Sequence, residues 1–324
     1  MFDVVALGEL LIDFTWSGYS SAGNVLFERN PGGAPANVLV AVSKLGGKGA
    51  FIGKVGNDIF GYFLKGVLER YNINTVGLKF SNEANTTLAF VYLDELGERS
   101  FSFYRNPGAD MMLRPEDLEL ELLDNTKIFH FGSLSLTDEP ARDATLKALE
   151  YAKSKRITVS YDPNWRPALW KSDMIAREKM SLGLEYADVL KVSKEEMEFL
   201  TGYSDLEVGS KSLFDRGAKL VVITLGAKGC YYRHVSGTGH VSTYDVKVVD
   251  TTGAGDAFWG AVLYCISRLE YSLDKLNSHD IEKIMDFANA AGALCVSRKG
   301  AIPAMPSLEE IKYCQNNIPR LCLR

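Results

Sequence analysis

A chain of 324 residues with 46% hydrophobic and 24% charged side chains is long enough to bury a large core and too apolar for extended disorder. Its formal net charge of −5 excludes bulk attraction to nucleic acid or an anionic membrane, which needs clustered Lys and Arg. No apolar run reaches the roughly 18 residues of a membrane span, and Met1-Phe2-Asp3-Val4-Val5 lacks the basic region of a cleavable leader.

Short apolar runs alternate with helix-like stretches along the chain. Asp3 to Leu7 reads as a strand, Val38 to Leu45 as a helix, Ala50 to Ile52 as a strand and Phe60 to Tyr71 as a helix. Leu11 to Glu28 carries small and aromatic residues without a helical period. Thr86 to Arg105 reads as two strands around Asp94 to Glu98, with Phe101, Phe103 and Arg105 on one face and Ser100, Ser102 and Tyr104 on the other. These two segments suit a small second sheet, either a plain hairpin excursion or a lid that points Arg105 into a cleft. Core strands follow at Ile128 to Phe131, Ile157 to Tyr161, Val189 to Val192 and Leu220 to Thr224. Amphipathic stretches separate them, around Ala141 to Lys153, Arg177 to Tyr186, Lys194 to Leu200 and Lys211 to Gly217. The last third predicts a strand at Val241 to Val249 and helices at Ala254 to Arg268, Asp280 to Leu294 and Leu308 to Asn316.

This alternation predicts an α/β fold, a mainly parallel sheet with helices on both faces. One continuous domain, 1–324, is expected, with segments near 11–30 and 85–107 inserted as the small sheet. Five cysteines, odd in number and without a CxxC pair, read as free buried thiols in a reducing cytosol. The four histidines form no zinc or triad spacing, and His130 reads as a satisfied core residue.

Five loops carry candidate chemistry. In Asp250-Thr251-Thr252-Gly253-Ala254-Gly255-Asp256, two glycines open an apolar helix, so unpaired amides and the helix dipole can hold a phosphate or a developing anion. Asp256 among those donors suits a base that takes a hydroxyl proton during phosphoryl transfer, with a helix cap as the plain alternative. No Gly-Lys-Ser/Thr loop or GxGxxG fingerprint is present. Gly32 to Asn37 lets a small ligand approach the backbone, Asn37 can bond adjacent hydroxyls, and Asp13 can accept from two. Asn164 and Arg166 follow a core strand on the edge where α/β ligands collect. Glu196, after Ser193, suits either hydrated Mg2+ or the first turn of a helix. Thr224 to Gly229, with Gly226, suits a nucleotide or a simple hairpin.

The motifs at Gly32 to Asn37 and Asp250 to Asp256 resemble the two signatures of the ribokinase-like (PfkB) carbohydrate kinases, and the likeness runs from Gly8-Glu9-Leu10-Leu11-Ile12-Asp13 to Gly300-Ala301-Ile302-Pro303. The resemblance implies a three-layer sandwich with a β-sheet lid. It implies Asp256 as base, the amides of Gly253, Ala254 and Gly255 as anion hole, and Asp13, Gly33 and Asn37 as sugar ligands. It puts Glu196 near Mg2+ and phosphate, lines the ATP pocket with Gly226, Gly229 and Asn289, and assigns Asp250, Thr252, Cys295 and Gly300 to a potassium site. Ser193 stands where many members carry Asn. Within the family, Phe101 to Arg105, Ala109-Asp110 and Asp162 to Arg166 are most similar to bacterial fructokinases. The 2-keto-3-deoxygluconate kinases share the arginines Arg105 and Arg166, whose guanidinium groups suit a carboxylate. The expected partners are a sugar, MgATP and a second copy through the lid. Ribokinase and a sugar-binding module without catalysis are the remaining alternatives.

Overall fold

The computed structural model describes residues 1–93 and 99–322, without the side chains of residues 92, 93 and 99–101. The expected turn at Asp94 to Glu98 and the facing of Ser100 and Phe101 therefore lie outside the described residues. The chain opens with β1 (Phe2–Leu7), the hairpin β2 (Leu11–Tyr19) and β3 (Val25–Gly32), then α1 (Ala34–Lys44), β4 (Gly49–Gly56), α2 (Ile59–Arg70) and β5 (Leu78–Ser81). It continues with β6 (Leu88–Leu93), β7 (Arg99–Tyr104), α3 (Glu121–Asp124), β8 (Thr126–Phe131), α4 (Ala141–Ser154), β9 (Thr158–Tyr161) and α5 (Asp173–Leu184). Next come β10 (Val189–Ser193), α6 (Lys194–Thr201), α7 (Leu206–Phe214), β11 (Leu220–Thr224), β12 (Cys230–His234) and β13 (Gly237–Val241). The long helices α8 (Ala254–Ser267) and α9 (Ser278–Val296) precede α10 (Leu308–Asn317).

Nine strands form one sheet in the order β13-β12-β11-β10-β9-β8-β1-β4-β5. Pairing is parallel from β11 to β5, and β12 and β13 add an antiparallel edge. Side-chain alternation splits the core into two layers. Val4, Ala6, Phe51, Ile128, Val189 and Val222 pack against α1, α2, α8, α9 and α10. Val5, Leu7, Ile52, Phe129, Leu190 and Ile223 pack against α3 to α7. The expected sandwich is thus present. A second, mixed sheet has the order β3-β2-β6-β7, with β2 and β6 parallel and the outer pairs antiparallel. Chain order reverses between β1 and β8, and ligands collect in such a crevice beyond the carboxyl ends of parallel strands.

Three expectations are corrected. The strand expected at Val241 to Val249 ends at Val241, and the following residues run beside the carboxyl-terminal tail through one isolated bridge, Tyr244 to Arg320. Val248 and Val249 are exposed, so their apolar character marks no buried face. Of the five free cysteines, Cys230, Cys295 and Cys314 are buried, but Cys265 is half-buried and Cys322 exposed. His130 is fully buried yet only half satisfied: Nδ1 lies 2.9 Å from Ser160 Oγ, while Nε2 has no protein partner. Burial lowers its pKa to about 4 and keeps the ring neutral. No helix among the described residues is long and apolar enough to cross a membrane.

Candidate active site

Two loops far apart in sequence meet at the start of α8. Gly253 stands in the left-handed region at φ 77°, which the turn into the helix requires, and no side chain caps the helix. Among the described residues, no backbone acceptor takes the amides of Gly253, Gly255 or Asp256, while Ala254 makes a long bond of 3.4 Å to Thr251. Asp256 in the first turn does not cap the helix. Its Oδ2 instead accepts a 2.8 Å hydrogen bond from Asn37 Nδ2, across 219 positions of sequence. Burial pushes the Asp256 carboxyl up to about 6; Lys191, the Asn37 donor and Arg166 pull it down, and Asp162 pushes it up.

The Gly32 to Asn37 loop is fixed from below. Gly33 precedes α1 at φ 115°, and a side chain there would run into the Glu9 carbonyl. Asp13, on β2, packs its carboxylate against Gly32, where a side chain would displace it. Burial raises Asp13 to about 6, with Arg166 lowering it and Asp256 raising it, so one arginine serves two acids. Glu9 Oε1 accepts from the Ala34 amide at 2.8 Å and occupies the place of a helix cap. Burial pushes Glu9 to about 7.

Arg105 lies just beyond β7, but it is not a free lid residue. Its Nε donates to Asp110 at 2.7 Å, Nη1 to Thr137 at 3.1 Å and Nη2 to the Leu134 carbonyl at 2.9 Å. A guanidinium this buried needs such a partner, so it is fastened to the wall of the main body. Arg166 is exposed, and its Nη1 donates to the adjacent Trp165 carbonyl at 3.1 Å, the one hydrogen bond of its side chain among the described residues. Asn164 is buried at a left-handed φ of 49°, with Nδ2 unpartnered.

Ser193 and Glu196 form a capping box on α6, with Glu196 N donating to Ser193 Oγ at 3.1 Å and Ser193 N to Glu196 Oε2 at 2.7 Å. Glu196 Oε1 accepts from Trp165 N at 2.7 Å, so both carboxylate oxygens hold backbone. Burial raises its pKa. Remaining lone pairs suit water-mediated contact with Mg2+ better than direct ligation. Thr224 ends β11, and Gly226 and Gly229, both at positive φ, turn the chain into β12, so this glycine loop is a hairpin. Asn289 Nδ2 donates to the carbonyls of Val241 (3.0 Å) and Ser242 (3.4 Å), pinning the segment that follows β13.

Asp250 joins two loops: Oδ1 accepts from Thr252 N (2.9 Å) and Oγ1 (2.7 Å), and Oδ2 from Gly300 N (2.9 Å). Cys295 Sγ lies 3.7 Å from the Thr252 carbonyl, and burial raises the thiol to about 12, so it is a neutral donor. The four residues expected around potassium are thus neighbours. Among the described residues no cluster of three or more His, Cys, Asp or Glu could hold a metal ion.

Unmet polar atoms gather at this crevice: Asn37 Oδ1, Asp162 Oδ1, Asn164 Nδ2 and Glu9 Oε2 are buried without protein partners. Such atoms are costly unless a ligand completes them. Sequence reasoning did not single out Glu9, Asp162 or Lys191. An acid or a lysine inside the apolar runs Gly8-Glu9-Leu10 and Val189-Leu190-Lys191-Val192 was the available signal, because a charge there must be paired.

A model of the pfkB family carbohydrate kinases matches residues 1–308. A probable fructokinase-2 of Arabidopsis thaliana is 48% identical over 94% of this chain and 93% of its own length. The structure of a Xylella fastidiosa fructokinase with bound ATP superposes with a TM-score of 0.91 at 36% identity, over 98% of this chain and 99% of that one. A double mutant of Vibrio cholerae O395 fructokinase, with fructose, ADP and potassium bound, gives 0.87 at 36% identity, over 96% and 98%.

Proposed function

The chain belongs to the pfkB family of carbohydrate kinases, and from that membership we propose that it is an ATP-dependent fructokinase, converting fructose to fructose 6-phosphate. The Asn37 to Asp256 hydrogen bond carries the reading, because it joins the hydroxyl-binding loop to the base at the mouth of the anion site.

Asp256 takes the proton of the sugar 6-hydroxyl as that oxygen attacks the γ-phosphorus; the bond to the β-bridging oxygen breaks, and ADP leaves with the electron pair. Amides of Gly253, Ala254 and Gly255 meet the charge gathering on the transferred group. Asp13, Gly33, Asn37, Asn164 and Arg166 hold the sugar, and Arg105 sets its wall. Thr224, Gly226, Gly229 and Asn289 border the nucleotide. Glu196, beside Ser193, would hold Mg2+ through water, and the ion would offset phosphate charge; Asp250, Thr252, Cys295 and Gly300 would frame the potassium loops. We read residues 1–324 as one kinase domain and assign it to the cytoplasm, a reading that its free cysteines support. Exposed Tyr19, Val25, Leu26 and Tyr104 on the small sheet support pairing with a second copy.

Fructose is favoured over 2-keto-3-deoxygluconate because a carboxylate clamp needs two available arginines, and Arg105 is already neutralised by Asp110. ADP release with MgATP and fructose, 2-keto-3-deoxygluconate, ribose, glucose or adenosine tests this. Fructose is expected to give the highest kcat/KM. Preference for the keto acid would overturn the substrate and leave the Asp256 chemistry standing.

A further inference from the structure

Gly253 and Gly255 occupy the same motif for different reasons. Gly253 needs its left-handed backbone, but Gly255 is not among the positive-φ glycines and lies in ordinary helix. Its missing side chain is explained by space: a carbon there would lie 3.0 Å from the ammonium of Lys191, which rises from β10 against the first turn of α8. Lys191 shares its strand face with Val189, toward α8, and its side chain is 7% exposed. Asp162, fully buried at the end of β9, holds the ammonium at 2.6 Å. That bond uses one of three N–H donors, and no other protein acceptor is bonded to Nζ among the described residues. Asp162 Oδ1 is itself without a partner. Asp162, Glu196 and Asp256 all favour the charged lysine, so it stays protonated despite burial.

We propose that Lys191 is a catalytic residue whose ammonium donates to the transferring phosphoryl group beneath the anion hole, with Asp162 as its positioning residue and Gly255 as the gap that admits it. The proposal rests on the kinase reading above. The cation offsets charge where the helix amides also point, in a site whose buried walls strengthen such contacts. Its proton is not transferred; the hydroxyl proton goes to Asp256, and Lys191 remains an ammonium throughout.

Lys191→Met removes the charge and keeps the stem, but leaves Asp162 unpaired, so Lys191→Met with Asp162→Asn is the folding control and Lys191→Arg the rescue. Rates are measured with whichever sugar of the panel the wild type turns over fastest, and calorimetry compares ADP alone with ADP, aluminium fluoride and that sugar together. Lys191→Met is expected to lower kcat about 10²- to 10³-fold, the loss typical of one anion-hole donor. Affinity for ADP alone should stay within about threefold, while the gain from fluoride disappears. The double variant should melt near the wild type and remain slow, and Lys191→Arg should recover part of the rate. Lys191→Met with kcat within about threefold of the wild type, or a double variant with full rate, would overturn the proposal. A wild type that prefers another sugar overturns only the fructose reading, and the fluoride arm still reads Lys191.

Discussion

Asp256 is expected to trade stability for catalysis, and Asp256→Asn separates the two. The carboxyl is held near pH 6 against an ordinary 3.8, chiefly by burial. At 1.36 kcal/mol per pH unit, ionising it in the folded chain costs about 3 kcal/mol. A raised carboxyl favours the folded state fully below its unfolded pKa, and that benefit is lost as pH rises through the folded value. At pH 8 the wild type therefore bears the whole penalty, and at pH 5 about half of it. The amide introduced at position 256 carries no charge, and its oxygen can still accept from Asn37. Asp256→Asn should raise the melting temperature at pH 8 by about 4 °C for a chain of this length, with a smaller rise at pH 5. Turnover should fall about 10²- to 10⁴-fold, because the proton acceptor is gone. Scanning calorimetry at both pH values and coupled ADP release make the comparison. A variant that melts lower than the wild type at pH 8, or whose gain is larger at pH 5, would refute the claim that the base is held at an energetic cost.

Asn37→Ala removes a donor that pulls the Asp256 carboxyl down, so the acid limb of kcat should move above pH 6 and kcat/KM for fructose should fall at least about tenfold; an unmoved limb counts against that coupling. Arg105→Ala strips the cation from buried Asp110 and should cost about 3 to 5 kcal/mol of stability, read as a lower urea midpoint; an unchanged midpoint would free Arg105 for a purely sugar-binding role. Replacing potassium by sodium should lower kcat severalfold if the Asp250 and Gly300 loops need the larger ion, and equal rates in the two salts would show the cation to be dispensable.

Much of this architecture is legible because alternation along a parallel strand names two faces at once. Val189, Leu190, Lys191 and Val192 read as one buried strand, and the structure sends Val189 toward α8 and Leu190 toward α4 to α7. The glycine-rich helix starts were legible for a related reason: a backbone without side chains is needed wherever an anion or a tight turn comes close. What local pattern does not contain is the partner of a buried charge. Arg105 turns inward beyond its strand, yet its ion pair with Asp110 and its bonds to Leu134 and Thr137 depend on segments that return after β7. Val241 to Val249 fails in the opposite direction, since apolar residues there flank a loop held by the tail through Asp245 N to Pro319 O and Leu321 N to Thr243 O.

The polar layer between the sheet and α8 explains why these unseen partners gather at one place. His130, Ser160 and Lys191 point to the same side of neighbouring strands, and Trp259 of α8 donates to Ser160 Oγ at 2.9 Å from above. Burying such groups beneath a helix is costly unless each is bonded. Not every group in the layer is bonded: Ser160 serves two partners, whereas His130, Asp162, Asn164 and Asn37 each keep an unmet atom. Three of those four, Asp162, Asn164 and Asn37, belong to the crevice where the amides of α8 open. A helix start alone would attract any anion, but this layer adds an acid at position 256 and a fixed cation at position 191 beside those amides. That combination suits an anion that must be bound while an adjacent hydroxyl loses its proton, which is the demand of phosphoryl transfer.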